Sequence, residues 1–539
     1  MKKILALLLT FVLVFSLAAC GDKGSSGAKE DGVLDVCFAS EPQTMDPTLS
    51  SAVDGAIMLS QIFEGLIKYA DDGKGNAILK PGMAESWDIS DDKLTYTFHL
   101  RDAKWSDGEP VTAYDFEYSW NRLANPETAA DYSYMVDMVA GYDEKNPNLQ
   151  IKAIDDKTFE VKLANLCPYF EEVCAFPALF PVRKDIVEGN PTWTNKPETY
   201  VSNGPMKLEK WDHNSKITFV PNENYYDQDV IKVKKMNFHL MDDQNAMLAA
   251  MKSGKLDLIN NFPPEEMKGL LADGSVVPYE YVGIYYISFN TQKAPFNDPR
   301  VRKAFSLAID RNFIVNEVSG GGEVPATGFV PDGVFDVDGV NGDDFRTVGG
   351  DYYSVKDSDY EKNCEEARKL LAEAGFPDGE GFPVVEYLYN TDDKHKAIAE
   401  ALQDMWQNEL GVKVTLQNQD WAVVLKARKD GDFTIARDGW IADYNDAMSF
   451  IDMFLTGGGN NNAQYANPAF DTIVKKAKAT EDPAERMQLM HDAEDMVIGE
   501  DMAAPPLYYY VNPVMSNPKM KNWLYTATGF FYLYGTTGV

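Results

Sequence analysis

The most specific chemistry in this chain belongs to a cysteine near the N-terminus. Two lysines precede an apolar run over 4–17, and two alanines then lead to Cys20. The run is shorter than a bilayer span, and such flanks are typical of a cleaved export signal, here 1–19. The leucine three positions before Cys20 predicts lipid attachment to its sulfur, with 20–31 as a flexible tether. We therefore expect a protein anchored to the outer face of the cytoplasmic membrane; the alternative is free secretion with a coincidental cysteine.

The other side chains that could do chemistry do not form a recognisable catalytic or metal site. The sequence has no nucleophile elbow, no Walker loop and no glycine fingerprint between a strand and a helix. Adjacent carboxylates such as Glu265-Glu266 are more simply a solvated face of an acidic protein. We predict no enzyme, no metal and no cofactor. The histidines, none at metal-ligand spacing, are His99, His213, His239, His395 and His491.

Four further cysteines leave the disulfide question open. An exported chain permits disulfides, yet so few cysteines in so long a chain do not make a disulfide-dependent scaffold. Cys167 and Cys174 could pair if the backbone turns at Pro168, whereas Cys37 lies in an apolar run and is expected to be a small buried side chain.

The charge balance excludes some partners. The formal net charge is −34 over 539 residues, whereas nucleic acids and anionic membrane surfaces require concentrated lysine and arginine. With 45% hydrophobic residues the chain can fill large cores, and its length predicts two or three domains.

Strand patterns alternate with amphipathic helices, which predicts an α/β or mixed architecture. The clearest unit is a helix over 395–410, ended by Gly411 and followed by a strand over 412–416. Further helices are predicted at 113–123, 242–253, 299–309, 364–374 and 483–500. Further strands are predicted at 95–100, 159–163, 217–221, 235–239, 281–290 and 433–436.

A collinear series of motifs between about residues 33 and 515 resembles the large solute-binding proteins of peptide ABC importers, extracellular solute-binding protein family 5. The last of these motifs is most similar to the oligopeptide-binding branch. The motifs are Ala84-Glu-Ser-Trp87, 94–101, 104–108, 111–116, Asn203-Gly-Pro205, Asn224-Tyr-Tyr226, 295–302, Asp310-Arg311, Ala367-Arg368, Ala374-Gly375 and 436–445.

The resemblance implies a periplasmic-binding-protein-like clamshell of class II type, in its large three-domain form with mixed sheets. Its two lobes close about a hinge over an enclosed ligand. The expected division is lobe I from 32–63, 199–282 and 510–539, an additional domain over 64–198, and lobe II over 283–509.

The same resemblance implies where a peptide would bind. Its main chain would lie extended, and its free amino group would be held by Asp443 in the Gly-Trp-x-x-Asp motif. Arg428, Arg437 and His395 would offer positive charge to the carboxylate end. The remaining expected contacts are Trp421, Trp440, Gly439, Tyr286, Tyr132, Tyr134, Ser51 and Val53.

The chain departs from the family at three places. Some relatives carry a lysine for the ligand carboxylate where this chain has Ser319, so the preferred peptide length is open. Asp438 stands where a small residue is common, and we expect it to neutralise part of the charge of Arg437. Two positions that form a disulfide in some relatives are Gly283 and Ile441 here, so both halves are missing together.

The expected function is that of a lipid-anchored, monomeric receptor that passes short peptides to the permease subunits of an ABC importer. The same fold also serves dipeptides, nickel chelates, haem, opines and oligosaccharides, and a receptor for peptide pheromones is a further alternative. A free amine on the ligand would favour the peptide reading, because Asp443 has a clear role only then. A secreted hydrolase and a purely structural lipoprotein are disfavoured.

Overall fold

The computed structural model describes residues 31–38, 41–337 and 342–539. The predicted export signal, Cys20 and all but the last residue of the tether lie outside this range. Among the described residues, no helix is long and apolar enough to cross a membrane. The strands are β1 (Val33–Cys37), β2 (Ile67–Asp71), β3 (Ala77–Pro81), β4 (Ala84–Ile89), β5 (Thr95–Leu100), β6 (Ile151–Asp155), β7 (Thr158–Lys162), β8 (Met206–Asp212), β9 (Lys216–Pro221), β10 (Lys235–His239), β11 (Leu258–Ile259), β12 (Val277–Phe289), β13 (Val324–Pro325), β14 (Val385–Asn390), β15 (Val414–Gln419), β16 (Ile435–Ile441), β17 (Pro506–Ser516), β18 (Leu524–Tyr525) and β19 (Phe531–Tyr532).

Six of the ten longer helices were predicted; those at 53–62, 264–272, 421–429 and 468–479 were not. The predicted helix at 483–500 is α-helical to Glu494 and then continues as a π-helical turn over Asp495–Glu500. The longer helices are α1 (Val53–Ile62), α2 (Ala113–Ala124), α3 (Gln244–Lys252), α4 (Pro264–Ala272), α5 (Pro299–Leu307), α6 (Tyr360–Glu373), α7 (Asp393–Leu410), α8 (Trp421–Lys429), α9 (Pro468–Ala479) and α10 (Pro483–Glu494).

Local sequence signals account for the ends of α7. Asp392 caps its N-terminus by accepting a hydrogen bond from the His395 amide at 2.9 Å. Gly411 ends it with φ of 68°, in the left-handed region that glycine enters at little cost. The strand β15 then follows, so the predicted order of helix, glycine and strand is confirmed.

The main sheet is mixed and extends across the molecule. Its strand order is β15-β14-β16-β12-β17-β11-β1-β10-β9-β8, with β13 added on β17. The pairs β14/β15, β14/β16, β1/β10 and β1/β11 are parallel, whereas β12 pairs antiparallel with both β16 and β17.

Two long strands join the halves of this sheet. β12 has 13 residues and β17 has 11, and they pair with each other over most of their length. β12 also pairs with β16 on one side, and β17 pairs with β11 on the other. The predicted lobe boundaries at 282/283 and 509/510 fall inside these two strands, which are therefore the proposed hinge; the division into lobes stays a prediction.

A separate antiparallel sheet with the order β4-β5-β7-β6 lies within the segment predicted to form the additional domain. Helix α2 packs against it, and the Trp120 ring meets Phe159 edge-on at 5.4 Å. Both side chains are fully buried, as are Phe98 and Phe116. Burial of such aromatic side chains stabilises the packing of the helix on the sheet.

Three of the described cysteines, Cys167, Cys174 and Cys364, are buried free thiols, and Cys37 is buried as well. The open possibility of a bond between Cys167 and Cys174 is therefore not realised, and the expectation that Cys37 is a buried small side chain is confirmed.

A buried ion pair ties the segment around residue 346 to α10. The Glu494 side chain is 0% exposed and accepts a hydrogen bond from Arg346 Nη1 at 2.6 Å. Its Oε1 atom also accepts from the amides of Phe329 and Val330 at 2.7 and 2.9 Å. A carboxylate this deeply buried is tolerated only because these donors replace water.

Replacement of Arg346 by methionine should destabilise this region, because Glu494 would keep its charge without a counterion. We expect a loss of about 3–5 kcal/mol in unfolding free energy. The control is Lys268→Met, which breaks an ion pair at the surface. In that pair the side chain of Lys268 is 63% exposed and that of Glu317 is 59% exposed. That change should cost less than about 1 kcal/mol. Equal shifts of the two variants in urea denaturation would contradict the argument.

Candidate ligand-binding site

A cavity of about 670 Å³ is lined by β16, β17, α7 and α8 together with the segments 50–57 and 260–262. Its volume is within the range of about 300–1,000 Å³ that small-ligand sites occupy. Most of the residues predicted to contact a ligand line it. They are Asp443, Trp440, Gly439, Trp421, Arg437, Arg428, His395, Tyr132, Ser51 and Val53.

Strand β16 presents one free edge beside the cavity. β12 pairs with it over Ile435–Ile441, but β14 pairs with its other edge only at 435 and 436. Beyond 436, no strand covers that edge in the described part of the chain. The backbone here is closely packed, since a Cβ on Gly439 would lie 2.5 Å from the Tyr510 hydroxyl oxygen. Glycine at this position lets backbone and tyrosine approach each other.

Strand β17 forms a wall of the cavity that the sequence analysis did not predict. Tyr508, Tyr510, Val511, Asn512 and Pro513 line the cavity. Tyr509 between them has its hydroxyl on the opposite side, where it donates to the Gly328 carbonyl at 3.1 Å. The two-residue period of a strand could have predicted this arrangement, because it places Tyr508 and Tyr510 on one face and Tyr509 on the other.

At one part of the cavity, two tyrosines meet the carboxylate of Asp443. The Tyr132 hydroxyl donates to Oδ1 at 3.1 Å and the Tyr134 hydroxyl to Oδ2 at 2.9 Å. The backbone amide of Asp443 donates to Ser449 Oγ at 2.9 Å. No lysine, arginine or histidine forms an ion pair with Asp443 among the described residues.

Burial raises the pKa of Asp443 to about 8, and the negative charge of Asp452 adds to the rise. The two tyrosine hydroxyls act in the opposite direction, because a donor to the carboxylate favours its charged form. At neutral pH Asp443 is therefore largely protonated, and a cation beside it would favour ionisation.

Two predicted contacts are not part of the cavity wall. Tyr286 is 1% exposed and does not line the cavity; its ring lies 4.9 Å from that of Phe329. The neighbouring Tyr285 does not line the cavity either, although its hydroxyl lies 3.3 Å from His395 Nδ1. The contact of Tyr286 with a ligand therefore stays a prediction. Tyr134 does not line the cavity itself, but its hydroxyl donates to Asp443 Oδ2 at 2.9 Å and accepts from Asn460 Nδ2 at 3.3 Å, and both of these residues line it.

The charge of Asp438 acts on Arg437, whose pKa it helps to raise, as expected, but its ion pair is with Arg428. Asp438 is 1% exposed and forms its ion pair with Arg428. Its Oδ2 atom accepts from Ser288 Oγ at 2.8 Å and from Asn462 Nδ2 at 2.9 Å. Arg428 is thus already paired with a carboxylate, which reduces its capacity to bind another.

Arg437 is the cavity arginine without a carboxylate partner in the described structure. Its guanidinium lies 5.1 Å from the Tyr285 ring centroid and 5.8 Å from that of Trp421. Its Nε atom is buried and has no hydrogen-bond partner among the described residues. A ligand carboxylate would satisfy this group with two parallel hydrogen bonds.

His395 does not carry the positive charge expected of it. Burial and, to a smaller extent, the adjacent charge of Arg437 lower its pKa to about 3. The imidazole is therefore neutral at physiological pH, and it can offer a hydrogen bond but no charge.

A lysine from α7 lies close to Ser319, the position at which some relatives carry a lysine for the ligand carboxylate. Lys394 lines the cavity, and its Nζ atom is 2.5 Å from Glu323 Oε1. The same carboxylate oxygen accepts from Ser319 Oγ at 2.5 Å. Lys394 and Ser319 are 75 positions apart in the sequence, so only the fold brings them to one carboxylate.

Contacts between distant segments join the edges of the cavity. Asp392 Oδ2 accepts from Gln244 Nε2 at 2.7 Å and from Asn261 Nδ2 at 3.1 Å. Asp131 accepts from Ser51 Oγ at 3.1 Å and forms an ion pair with Lys429. These polar contacts link the segment predicted as lobe II to the remainder of the chain. In the described residues, no cluster of His, Cys, Asp and Glu could hold a metal ion.

Comparison with known proteins places the chain among transport receptors. The profile of the bacterial extracellular solute-binding proteins, family 5, matches residues 79–462. The oligopeptide-binding protein OppA of Bacillus subtilis is 35% identical over 554 residues, with 99% of each chain covered.

The solved structures show the same fold. The Haemophilus influenzae OppA complex with the peptide RPPGFSPFR matches with a TM-score of 0.87 at 33% identity, covering 95% of this chain and 99% of that one. The Escherichia coli murein tripeptide binding protein MppA matches with a TM-score of 0.86 at 30% identity, covering 95% of this chain and 99% of that one.

The unliganded open form of MppA matches with a TM-score of only 0.60. The match covers 94% of this chain and 97% of that one at 31% identity. The present structure is therefore less similar to that open form than to the OppA peptide complex. By its sequence profile and by relatives that align along almost its whole length, this chain belongs to family 5 of the bacterial extracellular solute-binding proteins.

Proposed function

We propose that this protein binds oligopeptides in the cavity and delivers them to the permease of an ABC importer. The bound main chain lies extended along the free edge of β16, and Asp443 holds the free amino terminus. The observation that carries the proposal is the environment of Asp443, a buried carboxylate with two hydroxyl donors and no paired cation among the described residues.

An α-ammonium group is the natural partner for this carboxylate. It brings a positive charge and hydrogen-bond donors into a site from which water is largely excluded, where a paired charge is favourable and an unpaired one is costly. The ligand charge also restores Asp443 to its ionised form, because an opposite charge nearby lowers a carboxyl pKa.

The free edge of β16 suits a ligand recognised through its main chain. A peptide that pairs with a strand edge satisfies its own amide and carbonyl groups, whatever its side chains are. At the carboxylate end, we propose that Arg437 is the principal cation, because Arg428 and Lys394 are already paired with Asp438 and Glu323. This assignment replaces the expectation that Arg428 and His395 would share the charge.

The anchoring and the partner are part of the same proposal. Lipid on Cys20 and a tether over 20–31 would keep the receptor at the outer face of the cytoplasmic membrane, near the permease. We propose a monomer, since a closing cavity within one chain is sufficient for capture. Dipeptides, chelates, haem and sugars are the alternative cargoes, and a pheromone receptor would use the same site with a narrower choice.

Calorimetric titration with short peptides of defined length tests the proposal. Peptides with a free amino terminus should bind, with the strongest binding at the length that reaches both Asp443 and Arg437. An absence of binding across lengths of about two to nine residues, together with binding of a sugar or a metal chelate, would contradict peptide capture.

Substitution Asp443→Asn should weaken peptide binding by about 30-fold to several thousand-fold, since it leaves the ammonium without a counterion. The matched control changes the ligand: an N-acetylated peptide should bind wild type weakly and should be affected little by the substitution. If Asp443→Asn weakened both peptides equally in calorimetry, Asp443 would not be the receptor of the amino group.

Affinity should pass through a maximum near pH 8. Below this value Asp443 carries a proton that binding must release, so affinity rises with pH. Above it the ligand amine, with a pKa of about 7.7–8.0, has lost its proton and the complex must take one up, so affinity falls.

In Asp443→Asn only the ligand amine still titrates, and the rise of affinity below pH 8 should disappear while the fall above it remains. Dissociation constants measured across this range by calorimetry check both arms. Wild-type affinity that stays level from about pH 6 to pH 8 would contradict protonation of Asp443 in the free protein.

A further inference from the structure

One carboxylate at the cavity lacks the partners that the others have. Asp54 lies in the first turn of α1 and lines the cavity. Each of the other buried or half-buried carboxylates of the lining accepts a hydrogen bond or forms an ion pair with a side chain. These are Asp131 with Ser51 and Lys429, Asp392 with Gln244 and Asn261, Asp438 with Arg428, and Asp443 with Tyr132 and Tyr134.

The Oδ2 atom of Asp54 is buried and has no hydrogen-bond partner among the described residues. No lysine, arginine or histidine of that part of the chain forms an ion pair with it. The backbone amides of Asp54 and Gly55 are the donors that favour its charged form. A buried carboxylate oxygen without a donor costs free energy, and its presence in a native structure calls for an explanation.

Helix stabilisation explains only part of the placement. A negative charge in the first turn of α1 interacts favourably with the helix dipole. The helix, however, takes no side-chain cap from Ala52, and an exposed carboxylate in the first turn would serve the dipole as well. The helix dipole thus explains why a negative charge is tolerated here. It does not explain why the Oδ2 atom of Asp54 at the cavity has no hydrogen-bond donor among the described residues.

The charge state of Asp54 differs from that of Asp443. Burial raises the pKa of Asp54 to about 6, while the backbone amides of Gly55 and of Asp54 itself oppose the rise. At neutral pH Asp54 is thus mostly ionised, whereas Asp443 is largely protonated. Before any ligand binds, Asp54 is a negative charge without a counterion beside the cavity.

We propose that Asp54 is a second cation-binding residue of the cavity and receives the ammonium or guanidinium group of a lysine or arginine side chain in the bound peptide. An oligopeptide has a single main-chain amine, which the proposed function assigns to Asp443. A second cation in the same ligand must therefore come from a side chain. This inference rests on the proposed function and narrows it to peptides with a basic residue at one position.

The test is calorimetry at about pH 7.5 with an alanine peptide and a series in which lysine replaces each residue in turn. Norleucine replaces the same residues in the matched series, because it keeps the aliphatic chain and lacks the charge. Glutamine separates a cation from a neutral donor. The proteins are wild type, Asp54→Asn and Glu265→Gln, the last being an exposed first-turn carboxylate of α4 that does not line the cavity.

We expect wild type to bind the lysine peptide at least about 10-fold more tightly than the norleucine or glutamine peptide at one position. Asp54→Asn should reduce this preference to within about 3-fold while leaving the affinity for norleucine peptides unchanged, which also shows that the variant is folded. Glu265→Gln should keep the preference.

Several results would overturn the inference. They are equal binding of lysine and norleucine at every position, a preference that survives Asp54→Asn, a preference lost equally in Glu265→Gln, and glutamine binding as tightly as lysine. Loss of norleucine binding in Asp54→Asn would also do so, because the residue would then serve the fold or the main chain. If wild type bound none of the alanine, lysine, norleucine and glutamine peptides, the proposed function itself would fail and this inference with it.

Discussion

The structure around the cavity depends on a carboxylate that is buried without a cation. Two tyrosine hydroxyls occupy the oxygens of Asp443, yet burial still keeps its pKa near 8. Tyr132 and Tyr134 belong to the segment before residue 198, whereas Asp443 follows β16, so the contact joins distant parts of the chain. Closure of the cavity therefore removes water from a group that a ligand amine would satisfy better than the tyrosines alone do. This coupling of closure to an unmet charge connects the fold to the proposed function.

The two long strands β12 and β17 explain how such distant segments can meet. They carry the main sheet from one half to the other, and they also supply the wall of the cavity through Tyr508 and Tyr510. A bend in these strands would move β16 and Asp443 relative to the segments 50–57 and 131–132. The TM-score is 0.60 against the open form of MppA and 0.86 against another MppA structure. This difference agrees with a rearrangement of this kind.

Much of the architecture was predictable because local signals and packing agree. The predicted bounds of β5 and β10 match the structure, and the cap and the glycine fix the ends of α7. β16 was predicted too short, to 436; the strand continues to 441 because β12 pairs with it along its whole length. Such pairing comes from a distant strand and leaves no local trace.

The site was less predictable for the same reason. The second half of β12 is buried at every position, so strand alternation does not indicate which of its tyrosines reach the cavity; Tyr281 does and Tyr286 does not. The pairing of Asp438 with Arg428, and the convergence of Lys394 and Ser319 on Glu323, arise from contacts that the fold alone creates. Residue types could indicate charges at the site, but not which of them neutralise each other.

Mass spectrometry of ligand released by denaturing the purified protein tests the central claim most directly. The protein would be produced without its export signal and with Cys20 replaced, so that it stays soluble. The account predicts a mixture of short peptides with free amino termini and a defined range of lengths. A sugar, a metal chelate or another ligand without a free amine in the cavity would contradict it, and the fold would then serve a different cargo.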